Sequence, residues 1–401
     1  MPAQVVTQRS RGFICVNAHP EGCAKNVERQ VQEVRTALAG SGGRPAGIRN
    51  ALVIGASTGY GMASRVALGW GYGARTLGVF FERPPEGDRT ATAGWYNTAA
   101  FHRLAQGDGL HAASLNTDAF ADEAKRAAIE ILKREMAPVD LVVYSLASPK
   151  RTHPRTGVTH NSTLKPIGKA YTNKTIDLGT KKVQEITIQP ASDQEIADTV
   201  AVMGGEDWKF WIEALLAEGL LAEGARTVAY SYIGPTLTWP IYWDGTIGRA
   251  KLDLEKTATE LETLLAKRVK GHAWISVNKA IVTQASSAIP VVPLYMSLLF
   301  KVMQQEEIDE DAAAQMRRLF LQVLAAGKPP ATDGARRIRL DDREMRADVQ
   351  AEVGMLWPQV TSENLAELSD FAGFDRGFKN LFGFEVDGVD YAKPVETDIR
   401  W

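Results

Sequence analysis

Cysteine is nearly absent: 401 residues contain two, Cys15 and Cys23. Two thiols make no disulfide framework, so a reducing cytosol is the expected compartment. Histidine is scarce as well. The six, at 19, 102, 111, 153, 160 and 272, never take a zinc-site spacing such as H-E-x-x-H, and no metal is expected. Neither sign of charge is in excess: 46 Lys+Arg face 48 Asp+Glu, a formal charge of −2, which leaves no electrostatic footprint for nucleic acid. Long hydrophobic runs are missing too. The longest, 288–300, is shorter than the roughly 20 residues a bilayer span needs, and Pro290 and Pro293 interrupt it. Residues 1–11 lack the apolar core of a signal segment. Secreted, collagenous, disordered and membrane-spanning classes are therefore excluded as expectations. The remaining composition, 45 % hydrophobic and 23 % charged, is that of a globular chain able to bury a large core.

The first third alternates strand and helix patterns. Short apolar runs at 51–55 (ALVIG), 76–81 (TLGVFF), 110–115 and 140–146 (DLVVYSL) are separated by helical spacing over 62–70, 97–106 and 120–136. Strands alternating with helices predict βαβ units and a parallel sheet buried on both faces. The expected fold is α/β: a Rossmann-type doubly wound parallel sheet with helices on both faces. Residues 149–190 break the rhythm, being rich in Thr, Lys, Gly and Pro, and read as an inserted loop or small hairpin. Ser192 with Glu195 predicts a capping box ahead of a helix. Further helices are expected over 207–216 and 250–269, and strands over 226–232 and 273–282. Residues 306–326 are amphipathic, with Gly327 and Pro329 as stop signals. Asp387-Gly388 predicts a hairpin over 384–391. Without repeats or long linkers, the chain reads as one domain, 1–401.

The first chemical signal is Gly55-Ala56-Ser57-Thr58-Gly59-Tyr60-Gly61, between the first strand and a helix. Glycines allow a tight turn and a close backbone approach to a pyrophosphate, and the helix N-terminus offers N–H groups and a positive dipole end. The spacing G-x-x-x-G-x-G is typical of short-chain dehydrogenases and reductases. The same letters contain Gly55-x-Ser57-x-Gly59, the nucleophile elbow of α/β-hydrolases. That alternative would need an Asp and then a His downstream, for which His272 could serve, but it gives Gly61 no role. Glu82 closes the second strand, 27 residues after Gly55. A carboxylate there can accept hydrogen bonds from an adenosine ribose and repel a 2′-phosphate, so NADH is expected over a weaker NADPH. Asp118 follows the third strand and could hold the adenine amino group. Ser145 to Ser148 follow the fourth, at the edge where parallel sheets bind ligands.

Tyr232 ends the fifth strand; Pro240, Tyr242 and Gly245 follow, and Lys251 comes nine residues after Tyr242. Short-chain reductases pair a Tyr with a Lys that binds the nicotinamide ribose and lowers the Tyr pKa. At about 100° per residue, nine residues put the two on opposite faces of one helix. Tyr242 is therefore expected in the loop before the helix and Lys251 early within it.

Together these segments resemble a FabV-type enoyl-acyl carrier protein reductase, of the trans-2-enoyl-CoA reductase family, over essentially the whole chain. The matching residues are Arg11-Gly12-Phe13-Ile14-Cys15-Val16, the glycine turn, Phe81-Glu82, Tyr144 to Pro149, the Tyr-x8-Lys pair at 242 and 251, and Val282 to Ser287 with Ile289-Pro290. The eight-residue gap is the specific mark. The resemblance implies a monomeric NADH-dependent enzyme of fatty acid elongation with extra helices covering the substrate. It implies cofactor contacts from Gly55, Ala56, Ser57, Thr58, Gly59, Tyr60, Phe81, Glu82, Asp118, Ala119, Leu146 and Ala147, and from Lys251, Ile281, Val282 and Thr283. Tyr232 would contact substrate and Tyr242 would be the proton donor. The partner would be an enoyl thioester on acyl carrier protein or CoA. Residues 293–303 (PLYMSLLFKVM) could line an acyl pocket or be a buried core helix. Lys165, Lys169, Lys174, Lys181 and Lys182 are candidates for a basic landing patch. Two other functions stay open: a short-chain-type carbonyl reductase, since the same pair reduces ketones, and a non-catalytic dinucleotide-binding module, which would have no need of Tyr242 and Lys251.

Overall fold

The computed structural model describes residues 3–11, 14–40, 42–325 and 329–401. Seven parallel strands form the central sheet: β1 Asn50–Ile54, β2 Arg75–Phe80, β3 Ala112–Asn116, β4 Val139–Tyr144, β5 Leu221–Ser231, β6 His272–Val277 and β7 Arg337–Arg339. Their order across the sheet is 3-2-1-4-5-6-7. It reverses beside β1, and β1 and β4 pair there in parallel register, Ile54 opposite Tyr144. That reversal opens a crevice at the carboxyl ends of β1 and β4, the place where open parallel sheets bind ligands.

Side chains alternate across a strand, so strands without polar positions must be covered on both faces. All five residues of β1 are buried. Leu52 and Ile54 join Val142 and Tyr144 of β4 in a core with α4 (Asp122–Glu135), α6 (Glu206–Ala217) and α7 (Thr246–Val269). Ala51 and Val53 join Leu141 and Val143 in the core of the opposite face, with α2 (Gly59–Tyr72) and α10 (Ala312–Arg318). α1 (Pro20–Gly40) and α3 (Ala93–Gly107) pack outside α2. On α6, Trp208 and Trp211 are fully buried, and each indole is satisfied, Trp208 donating to Thr227 Oγ1 (2.9 Å) and Trp211 to the Ala119 carbonyl (3.1 Å).

After β4 the chain leaves the sheet for two antiparallel hairpins, Lys150–Thr152 with Thr159–Asn161 and Tyr171–Asp177 with Lys182–Ile188. They fill the stretch expected to be an insertion. α5 (Asp193–Met203) begins at the expected capping box, Ser192 Oγ accepting from Glu195 N and Glu195 from Ser192 N. A third core surrounds α9 (Val292–Gln305), with α11 (Ala347–Leu356), α12 (Leu365–Leu368) and α13 (Phe371–Asn380) against it. The 293–303 segment is thus a core helix. The short α8 (Gln284–Ser287) precedes it.

Three sequence expectations need correction. The strand expected over 273–282 ends at Val277: its outer neighbour β7 is three residues long, and Ala280 N donates to a carboxylate, not to a strand. The helix expected from 306 begins at Ala312, because Asp311 Oδ1 accepts from Ala314 N (2.8 Å) and caps it there; a π-turn over Leu319–Val323 follows, and Gly327 lies outside the described residues. No hairpin forms over 384–391. Phe384 and Tyr391 both turn inward onto the buried His19 ring, and the Tyr391 hydroxyl accepts from Val386 N and donates to the Gly383 carbonyl. The left-handed φ of +54° at Glu385 breaks the first expected strand, and Asn380 Nδ2 donates to the Phe384 and Glu385 carbonyls in place of a second strand.

Candidate active site

The glycine turn lies at the sheet reversal. Gly55 has φ +84°, the left-handed region that favours glycine, and a Cβ there would stand 2.3 Å from the Ser145 carbonyl oxygen at the end of β4. A Cβ on Gly61 would stand 1.8 Å from the Gly55 carbonyl oxygen. The turn can close only with glycine at both. Thr58 occupies the N-cap of α2 without a side-chain bond to the first helical turn. No cap side chain therefore competes for N–H groups that could meet an anionic pyrophosphate, so these residues fit a dinucleotide.

Neighbouring strand ends surround the turn. Ser57 Oγ donates to Glu82 Oε1 (2.7 Å), and the same oxygen lies where a Cβ on Gly94 would be, 2.0 Å away. Burial raises the Glu82 carboxyl above its ordinary value. One oxygen of Glu82 is thus pinned to the turn, which fixes the end of β2 to the end of β1. Phe81 beside it is 79 % exposed, an unusual state for a phenyl ring. Asp118 is exposed, Ala119 is buried, and Leu146 and Ala147 lie just past β4. The 281–283 segment arrives from β6: Thr283 Cγ2 is 3.9 Å from the Cβ position of Gly59, and Tyr60 Oη donates to the Lys279 carbonyl (2.8 Å). Ser57 meets Glu82 and no histidine. His272 sits at the amino end of β6, paired with Glu262 at 3.1 Å, so the nucleophile-elbow alternative is excluded.

Tyr242 lies in consecutive turns between β5 and α7, and Lys251 in the second turn of α7, the arrangement their spacing requires. Both meet the end of β5. The Tyr242 ring stands edge-on to Tyr232, centroids 4.9 Å apart, and Lys251 Nζ donates to the Tyr230 carbonyl (3.2 Å). Burial lowers Lys251 from 10.5 to about 8. Burial also raises Tyr242, contrary to the expected lowering by Lys251: desolvation of the phenol dominates. Among the described residues the Tyr242 hydroxyl makes no hydrogen bond.

Sequence reasoning missed Glu344, which is fully buried. Its Oε1 accepts from the hydroxyls of Tyr232 and Tyr295, each at 2.8 Å, and its Oε2 from Ala280 N at 2.7 Å. In the sequence it sits within Asp341-Asp342-Arg343-Glu344, which reads as a solvated charge run. Only packing reveals it. The lysine patch also needs correction. Lys165 pairs with Glu195 and Lys174 donates to the carbonyls of Trp357, Pro358 and Val360, while Lys169, Lys182 and Lys181, the last paired with Asp375 at the surface, stay exposed. The fold takes up two of the five, and three remain at the surface. In the segment carrying Arg11 to Val16, Gly12 and Phe13 lie outside the described residues.

Three family models match the chain. Residues 89–325 match the trans-2-enoyl-CoA reductase catalytic region, 5–87 the NAD(P)H binding domain of trans-2-enoyl-CoA reductase, and 332–395 an enoyl reductase FAD binding domain. The enoyl-[acyl-carrier-protein] reductase [NADH] of Flavobacterium johnsoniae is 54 % identical over 387 residues, 96 % of each chain. The crystal structure of Treponema denticola trans-2-enoyl-CoA reductase in complex with NAD superposes with a TM-score of 0.95 at 45 % identity, covering 99 % of this chain and 100 % of that one. That of the Clostridium acetobutulicum enzyme in complex with NADH gives 0.95 at 39 % identity and 98 % of each. The residues of 332–395 do not fit a flavin. The link from β7 to α11 contains no glycine, Glu344 is occupied by Tyr232, Tyr295 and Ala280, and Asp333 is occupied by Arg337 and Arg339. The catalytic-region match takes in Tyr242 and Lys251, the NAD(P)H-domain match takes in the glycine turn, and on these matches the chain belongs to the trans-2-enoyl-CoA reductase family.

Proposed function

We propose that this protein is an NADH-dependent reductase of trans-2-enoyl thioesters, converting them to saturated acyl thioesters as the last step of a fatty acid elongation cycle. The observation that carries this reading is the Tyr242 side chain, buried as a residue but with a hydroxyl that bonds none of the described residues, set against Tyr232 and α7 beside the dinucleotide crevice. Gly55 to Tyr60 would hold the pyrophosphate, Phe81, Glu82, Asp118 and Ala119 the adenosine, and Leu146, Ala147, Lys251 and 281–283 the nicotinamide half.

When bound, NADH supplies the hydride that C3 of the enoyl thioester receives. Negative charge then develops on the thioester oxygen as an enolate, which becomes the saturated thioester when C2 takes a proton, directly from the site or through solvent. Tyr242 answers the charge: its phenol, kept protonated by burial, donates to that oxygen in a site poor in water, where such a bond counts for more than in solution. Lys251 holds ribose hydroxyls and brings positive charge to the same end of β5. The apolar residues of α9 pack into one core with Tyr242 and Ile247 and so hold the Tyr242 ring in place. The thioester would be carried on acyl carrier protein or CoA, and the enzyme would work as a cytoplasmic monomer. Among the described residues no helix is long and apolar enough to cross a membrane.

The test is NADH oxidation with crotonyl-CoA and with acetoacetyl-CoA, then with longer enoyl thioesters on both carriers. Turnover of crotonyl-CoA with little or none of acetoacetyl-CoA is expected. The reverse preference would make the protein a carbonyl reductase, and NADH binding without either turnover would make it a dinucleotide-binding module.

A further inference from the structure

The Glu344 carboxylate stands outside the Rossmann frame, between β7 and α11, yet it touches both halves of the site. A phenol has one proton to donate. That of Tyr232 goes to Glu344 Oε1 at 2.8 Å, and that of Tyr295 goes to the same oxygen. Gln350 locks the arrangement, its amide donating to the Tyr295 hydroxyl (3.1 Å) and to the Glu344 main-chain carbonyl (2.6 Å). The other carboxylate oxygen takes Ala280 N, the middle of the segment that carries Lys279 to Thr283 back to the glycine turn. Lys279 is also buried beside it, with Nζ on Asp309 at 2.7 Å.

We propose that Glu344 is the positioning carboxylate of this site: by taking the only proton of Tyr232 it keeps Tyr232 from donating to the thioester oxygen, leaves Tyr242 as the sole phenolic donor, and with its other oxygen sets the cofactor-facing segment 278–283. The proposal rests on the reductase reading for its substrate half; the cofactor half needs only that the crevice binds NADH. Its chemistry explains why a carboxylate is buried here. Three donors from three different elements converge on two oxygens, and only a carboxylate offers acceptors on both. An amide has one oxygen. It can serve the two phenols or Ala280 N–H, and its NH2 must then oppose a donor at the other end.

The experiment compares Glu344→Gln, Tyr232→Phe and the double variant with the unmodified enzyme, using crotonyl-CoA for kcat and KM and fluorescence titration for the NADH Kd. Each single change is expected to lower kcat/KM about tenfold, the effect of one charge-assisted hydrogen bond. If Glu344 acts through Tyr232, the losses do not multiply, and the double variant falls short of their product by at least about fivefold. The NADH Kd is expected to rise in Glu344→Gln and to stay unchanged in Tyr232→Phe, a split that loosened packing alone does not produce. Losses that multiply, or a Glu344→Gln enzyme with unaltered kcat/KM and unaltered NADH affinity, would overturn the proposal. If the unmodified protein binds NADH without reducing crotonyl-CoA, the reductase reading fails, and the NADH titration alone decides whether Glu344 sets the 278–283 segment. Should Glu344→Gln not fold, Glu344→Asp keeps the charge but is one methylene too short to span both arms, and the same split is expected of it.

Discussion

Tyr242 and Lys251 are both buried at the end of β5, and burial acts on them in opposite senses. It keeps the phenol protonated and makes the ammonium costly. Tyr242→Phe removes the donor while keeping the ring against Tyr232. Turnover with crotonyl-CoA should fall by about 10²–10⁴, the span of general acid catalysis, with NADH affinity nearly unchanged; near-normal turnover would pass the role to Tyr232. Lys251→Met should weaken NADH binding and lower activity together. It should also stabilise the fold. Lys251 falls from 10.5 to about 8 on folding, so below pH 8 the folded state carries a desolvated charge at a cost of roughly 3 kcal/mol. Between pH 8 and 10.5 the unfolded chain binds more protons than the folded one, and the cost fades. Urea unfolding of the Met variant should therefore show extra stability at pH 7 that shrinks as pH rises through that window. An equal or lower stability at pH 7 would show that Lys251 is compensated by its bond to the Tyr230 carbonyl.

Elements place these residues through backbone constraints more than through side chains. The link from β1 to α2 closes because Gly55 takes φ +84° with the Ser145 carbonyl against it. Gly55→Ala should cost at least about 1–2 kcal/mol from the left-handed conformation alone. The methyl at 2.3 Å would also push β4 away from the turn. Denaturant unfolding and NADH titration should therefore worsen together; a stable variant with full NADH affinity would mean the turn can rearrange. The same reasoning explains which elements were legible. Residues 51–55 and 140–146 read as strands because they are almost wholly apolar, and the Ser192–Glu195 box located α5 because capping is a local interaction. β7 was not legible: Arg337 and Arg339 flank the single buried Ile338, a pattern indistinguishable from a surface loop until β6 supplies its partner.

At the scale of the whole molecule, sheet order brings together chain ends far apart in sequence. The crevice at the reversal gathers the end of β1, the Glu82 carboxylate after β2, the end of β4 and the 278–283 segment after β6. Binding a dinucleotide to that assembly should stabilise the native state by mass action. NADH at about a hundred times its Kd should add about 2.7 kcal/mol, a rise in Tm of about 3 °C for a chain of this length. NADPH at the same concentration should give a smaller rise, because its 2′-phosphate meets Glu82 where the ribose hydroxyl of NADH would donate. Equal shifts with both cofactors would show that the bond from Ser57 leaves Glu82 no part in the choice.

By itself the sequence determined the alternating α/β architecture, the glycine turn and the split placement of Tyr242 and Lys251. Each depends on periodicity, on glycine's conformational range or on the pitch of a helix, and such constraints act within a few residues. Tertiary structure alone decided the convergence on Glu344, the pinning of Glu82 by Ser57, the bonds that take up Lys165 and Lys174 and the inward turn of Phe384 and Tyr391 onto His19. In these cases a polar or aromatic side chain finds its partner tens or hundreds of residues away. Local composition reads such residues as solvated charge or as a hairpin, and only the packed chain reveals which donors and acceptors have lost water and must satisfy one another.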